Sequence, residues 1–229
     1  MRIINIYVEG KSDLFFLIHL LESMFDYKFV VDNHKLKACH IKKDEISLSI
    51  GTFSTQEGHG GIDSKKINAV LKQINDIDSK LGIESVFLID ADTDEHVNPP
   101  GGVIARNKHM EELRKLTDFK YFLIPNHSIN GNLENILQSI ICKKGQNFYT
   151  CLNSYAESLL ALHEDDRPMY VKENPKLQKE RIGWYIYMME GRGKKKEKSK
   201  INPELWDLNA EILKPLIGFL NSVIKGESI

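Results

Sequence analysis

The chain has 229 residues, 41% hydrophobic and 28% charged, enough apolar material for one domain with an elaboration. Its 31 lysines and arginines nearly cancel its 32 aspartates and glutamates, so net charge argues neither for nor against a nucleic-acid partner. No apolar run free of charged side chains is long enough to span a bilayer, which excludes a membrane protein of helical type. Met1-Arg2 runs straight into a strand-like run, so no secretory leader is expected, and Cys39, Cys142 and Cys151 lack metal-ligand spacing. The expectation is a cytoplasmic protein with reduced thiols.

In chain order, Ile3-Ile4-Asn5-Ile6-Tyr7-Val8 reads as a strand that ends at Glu9-Gly10. Leu14 to Phe25 is a densely apolar helix, with Asp13 at its start, where a carboxylate meets free N–H groups and the positive helix end. Lys28 to Gly51 holds two or three strands, and Gln56 to Gly61 is a glycine-rich loop. Ile67, Val70, Leu71 and Ile74 predict an amphipathic helix over about 63–81, closed by Gly82. The strand Val86-Phe87-Leu88-Ile89 then delivers Asp90-Ala91-Asp92-Thr93-Asp94. After Pro99-Pro100-Gly101-Gly102 come a helix near 104–116, the strand Tyr121-Phe122-Leu123-Ile124, a loop over 125–132, and a helix opening at Leu133. This alternation predicts an α/β domain with a largely parallel sheet. Beyond Asn147 only helices are expected, near 148–162, 176–189 and 210–224, with a basic low-complexity loop at Gly191 to Lys200.

Both acidic clusters begin where a strand ends, and ligands collect at the carboxyl ends of parallel strands. If the second strand persists, alternation puts Asp90, Asp92 and Asp94 on one side. Converging carboxylates raise one another's pKa, and a hard divalent cation relieves that. The spacing is not a calcium loop: its sixth and twelfth places hold Glu95 and Gly101 instead of glycine and glutamate. Gly58-His59-Gly60-Gly61 lacks the lysine and Ser/Thr of a phosphate-binding loop, and the histidines form no ligand set. Lys194, Lys195 and Lys196 are candidates for phosphate contacts, although a solvated connector has the same composition. Trp184, Tyr185 and Tyr187 at helical spacing read as core more readily than as base-stacking platforms.

A strand ending in Glu9-Gly10, Asp13 four residues after the glutamate, and a later strand ending in Asp90-Ala91-Asp92 together resemble the TOPRIM domain. That domain is shared by topoisomerases, bacterial primases, small ribonucleases and OLD-type nucleases. The likeness covers roughly residues 1 to 140. The segments Gly131-Asn132-Leu133-Glu134-Asn135-Ile136-Leu137 and Asn202-Pro203-Glu204-Leu205-Trp206-Asp207 resemble a small TOPRIM-like family of bacteria and archaea of unassigned function, as does Leu213 to Leu220.

The resemblance implies a Rossmannoid α/β domain over 1–145, and the helical extension over 146–229, whose apolar faces need a partner, is expected to pack on it. The resemblance also implies Glu9 as general acid or base or as metal ligand, and Asp90 and Asp92 as ligands of Mg²⁺ or Mn²⁺. Asp13, Asp94 and Glu134 would be further acids of that site, and Gly10 the turn glycine. Apart from the resemblance, Lys11 is a candidate to neutralise the backbone of a nucleic-acid substrate. No nucleophilic-tyrosine, helicase, ATPase or zinc module is recognisable, which argues against a topoisomerase or a full primase. The leading expectation is a metal-dependent nuclease acting on DNA or RNA, with primase-like nucleotidyl transfer a close variant. The alternatives are a non-catalytic metal- or nucleic-acid-binding module and a small-phosphate hydrolase.

Overall fold

The first strand, β1 (Arg2–Val8), buries Ile4, Ile6, Tyr7 and Val8 and carries none of the strict polar alternation of a surface strand. Such a run belongs in the middle of a sheet covered on both faces. In the computed structural model, which describes residues 1–32, 37–40, 46–53, 64–95, 100–173, 177–190 and 203–227, β1 has a parallel neighbour on either side. These are β4 (Ile46–Thr52) and β5 (Ile83–Asp90). Beyond β5 lies β6 (Lys120–Ile124), also parallel, and beyond β4 lie the antiparallel β3 (Lys37–His40) and β2 (Phe29–Asp32). The order is β2-β3-β4-β1-β5-β6, a mixed, mostly parallel sheet flanked by helices, which makes this an α/β protein.

The chain leaves β1 toward β4, then crosses back over β1 to reach β5. The gap between the carboxyl ends of β1 and β5 is therefore the point where the winding reverses, and that is where open α/β sheets bind ligands. Helices α1 (Lys11–Met24), α2 (Ser64–Gln73) and α3 (Val103–Arg114) connect these strands. Tyr7, Phe53, Ile67, Leu71, Phe87, Met110, Phe119 and Leu123 form one apolar cluster of this layered core. No helix among the described residues is long and apolar enough to cross a membrane.

The chain divides into two compact units, Met1–Leu133 with Glu211–Ile229, and Glu134–Ala210. The division falls at Leu133 instead of near 145, and the last helix, α8 (Lys214–Lys225), belongs with the sheet instead of with the helical segment before it. The reason is local: Phe219 of α8 meets Phe122 of β6, ring centroids 5.3 Å apart, and Arg2 donates to the carbonyls of Val223 and Ile224. The second unit contains most of α4 (Leu133–Ser139), and α5 (Lys143–Ala161), α6 (Met169–Glu173) and α7 (Gln178–Glu190). Its aromatic centre is Tyr185, edge-on to Tyr149 and Trp206, and its hydroxyl lies where a Cβ on Gly145 would sit. Tyr185 is core as the spacing implies, whereas Tyr187 and Met188 are exposed.

The helix expected over 63–81 is not regular. After α2 the backbone widens into a π turn at Ile74–Asp78, tightens into a 3₁₀ turn at Ser79–Leu81, and stops at Gly82 with φ +65°. This change of pitch accompanies the burial of Asp78, 1% exposed, against the sheet. Its Oδ2 accepts from Tyr7 Oη at 2.8 Å, Ser85 Oγ at 3.0 Å and Asn5 Nδ2 at 3.1 Å. A helical period reports the apolar stripe and is blind to a buried acid that captures donors from two strands. Asp78→Ala strands those donors, each at a cost of roughly 1–3 kcal/mol before relaxation, so it should destabilise the fold by about 3 kcal/mol. Urea unfolding that moves by less than about 1 kcal/mol would mean the network is structurally idle.

Candidate functional site

β1 and β5 pair in parallel as far as Val8 and Leu88, so Glu9 leaves the sheet beside the end of β5. Its Oε1 accepts a 2.8 Å hydrogen bond from the backbone N–H of Asp90. The glutamate side chain thus continues the joint between the strands one step beyond the ladder. Glu9 is only 7% exposed, and burial together with the negative charges of Asp13 and Asp92 pushes its carboxyl up to about 8. The Asp90 N–H and the Arg106 guanidinium pull in the opposite direction without offsetting that rise.

Asp13 stands in the first turn of α1, where its Oδ2 accepts from the Gly10 N–H at 3.0 Å. That is half of a capping box, closing the turn that brings Glu9 inward. Lys11 opens the same helix and is exposed, with its Nζ 5.9 Å from the centroid of the Phe15 ring.

Asp90, Asp92 and Asp94 do not share one side. The strand ends at Asp90, and Asp92 has φ +58°, a left-handed conformation that breaks the alternation. A two-bond bridge to Gly131 holds that turn, with Asp92 N–H to Gly131 O at 2.7 Å and Gly131 N–H to Asp92 O at 2.9 Å. Each carboxylate consequently finds a different partner. Asp90 Oδ1 accepts from the Leu133 N–H at 3.0 Å, and Asp92 Oδ2 pairs with Arg106 Nη2 at 2.5 Å. Asp94 accepts from Asn130 Nδ2 at 3.2 Å and lies over Gly102, where an added Cβ would fall 1.9 Å from its Oδ1. Gly102, at φ +84°, is therefore required both for its backbone conformation and for this approach.

Glu134 follows Leu133 in the chain but belongs to the second unit, where it is buried and has Lys179 Nζ 3.8 Å from its Oε1. Lys194, Lys195 and Lys196 lie outside the described residues, as do Gly58 to Gly61.

The residue missed by the sequence reading is Arg106. It lies in the first turns of α3, 1% exposed, while its neighbour Ile104 is 85% exposed. Only Nη2 has a partner among the described residues; Nε and Nη1 are buried without one. The available signal was spacing: position 106 falls on the stripe of Val103, Met110 and Leu113 that packs on the core.

The donor set suits a hard cation: every acid offers oxygen, and the Arg106 charge alone does not restore the ionisation of Glu9. Among the described residues, no three acidic, histidine or cysteine side chains stand together at ligand spacing. Asp92 is turned to Arg106, and Asp90 to a backbone N–H.

The class defined here is an α/β protein with an acidic cluster at the switch point of its sheet. The chain belongs to the family described as protein of unknown function DUF3226, whose model matches residues 4–225. Among solved structures it is similar to a hypothetical protein from Pyrococcus horikoshii OT3, at 20% identity and a TM-score of 0.44, over 98% of this chain and 100% of that one. No curated protein matches.

The buried carboxyl has a measurable consequence. Its folded pKa, about 8, lies above the ordinary 4.5, so between those values the native state holds a proton that the unfolded state has lost. The resulting stabilisation is complete below pH 4.5 and declines as pH rises toward 8. In EDTA, Glu9→Gln should flatten that decline, read by urea unfolding across the same window. Parallel pH profiles for the two proteins would locate the titration elsewhere.

Proposed function

We propose that the chain is a cytoplasmic metal-dependent enzyme of phosphodiester chemistry, a nuclease acting on DNA or RNA, with a TOPRIM-like sheet domain. One observation carries this reading: a buried, undercompensated Glu9 between Asp13 and Asp92 at the β1–β5 switch point. Three free thiols accord with a reducing compartment. Glu9, Asp90 and Asp92 would hold Mg²⁺ or Mn²⁺, with Asp13 beside them. When bound, such an ion polarises a phosphoryl oxygen and lowers the pKa of water.

This chain's own contribution is placement and proton handling. The Asp90 N–H fixes Glu9 Oε1, leaving the second carboxyl oxygen to take or give a proton at the edge of the sheet. Burial and the neighbouring acids bring that carboxyl to about 8, so both protonation states are accessible near neutral pH. The bridge between Asp92 and Gly131 and the seat of Asp94 on Gly102 pin the loop after β5, so the acids are presented from a fixed backbone.

The test is Mn²⁺- or Mg²⁺-dependent cleavage of labelled single- and double-stranded DNA and RNA. Cleavage is expected with wild type and absent with Asp90→Ala. Glu9→Gln should lower turnover by about 10²-fold or more, the usual contribution of a positioned acid or base. Asp92→Asn should weaken Mn²⁺ binding measured by calorimetry while leaving the fold intact. Metal and nucleic-acid binding without turnover would replace the nuclease by a non-catalytic module. No metal binding at all would end the metal reading.

A further inference from the structure

We propose that Arg106 is a built-in counter-ion for the acidic cluster, positioning Asp92 while no divalent cation is bound and competing with that cation for it. The inference rests on the metal reading of the site and assigns its regulation to a residue outside the acidic motifs. Three features of the side chain carry it. Arg106 is 1% exposed, so its charge has been brought out of water at substantial cost. Its single ion partner among the described residues is Asp92, through Nη2. Its Nε and Nη1 are buried and find no acceptor among the described residues, so the guanidinium is not held by the fork of hydrogen bonds that usually secures a structural arginine.

A buried arginine kept only for stability would have those donors satisfied, because each unsatisfied one is a penalty. What the placement does supply is one positive charge among Glu9, Asp13 and Asp92, where carboxylates otherwise repel without relief. A divalent cation supplies two charges in the same place. The cation and the guanidinium cannot both pair fully with Asp92, so binding of one releases the other. Arg106 is accordingly a positioning residue, acting through Asp92.

Calorimetric titration with Mn²⁺ alone at fixed pH tests this with wild type, Arg106→Met and Arg106→Lys. Removing the charge should tighten Mn²⁺ binding about tenfold, whereas Arg106→Lys, which keeps it, should stay near wild type. The Mn²⁺-induced rise in Tm should be larger in Arg106→Met than in wild type. A merely structural arginine predicts weakened or equal binding in both variants. In the unsubstituted protein, the Arg106 Nε–Hε resonance should shift on adding Mg²⁺, with the midpoint of binding. That measurement decides the matter if Arg106→Met does not fold, and an unmoved resonance overturns the proposal. Wild type that binds no Mn²⁺ overturns both this inference and the metal reading. Wild type that binds as well as or better than Arg106→Met overturns this inference alone.

Discussion

Everything at the carboxyl edge of the sheet depends on one contact, the hydrogen bond from the Asp90 N–H to Glu9 Oε1. β1 lies between two parallel neighbours, so its end is walled on both sides and a side chain leaving it inward is buried. A carboxylate in that position loses most of its hydration, and a single backbone donor returns only part of it. The strand end therefore carries an acid whose charge is costly and whose position is fixed. Fixed position comes from the sheet, and the cost of the charge from burial first and the neighbouring acids second, which together distinguish this edge from a solvated acidic turn.

The loop after β5 converts one acidic run into three separate attachments. The left-handed turn at Asp92 rotates its side chain away from the strand's alternation and toward α3. Asp90 anchors the chain at Leu133, and Asp94 rests on the bare backbone of Gly102 just ahead of α3. Two long loops and a helix start are thereby tied to five residues. Such a loop presents its acids without gathering them, each turned to a partner of its own.

Strand positions were legible because buried parallel strands are short apolar runs bounded by turns, and Ile3 to Val8, Val86 to Ile89 and Tyr121 to Ile124 are of that kind. Glu9 and Asp90 were legible as candidates because they end those runs. Three things were not. The side of Asp92 depends on one positive φ, which aspartate tolerates but does not announce. The π turn at Asp78 depends on donors from β1 and β5, distant in sequence. Arg106 lies on the inward face of α3 with Met110, while Ile104 faces out, so a hydrophobic scale misplaces those two residues although the rest of the stripe is apolar.

Asp78 and Glu9 make the sharpest comparison, because one sheet domain buries both. Asp78 receives three side-chain hydrogen bonds, from Tyr7, Asn5 and Ser85. Glu9 receives one backbone hydrogen bond and faces two more acids. The fold thus contains a working solution for a buried carboxyl and does not apply it at the switch point. The donors there are an arginine with two nitrogens unpartnered among the described residues and a backbone already committed to its own turns. Burial and two neighbouring acids leave Glu9 undercompensated, with the Asp90 N–H and the Arg106 charge too little to offset them. On the proposed reading, a divalent cation supplies the charge this edge lacks, and Arg106 holds its place until it binds.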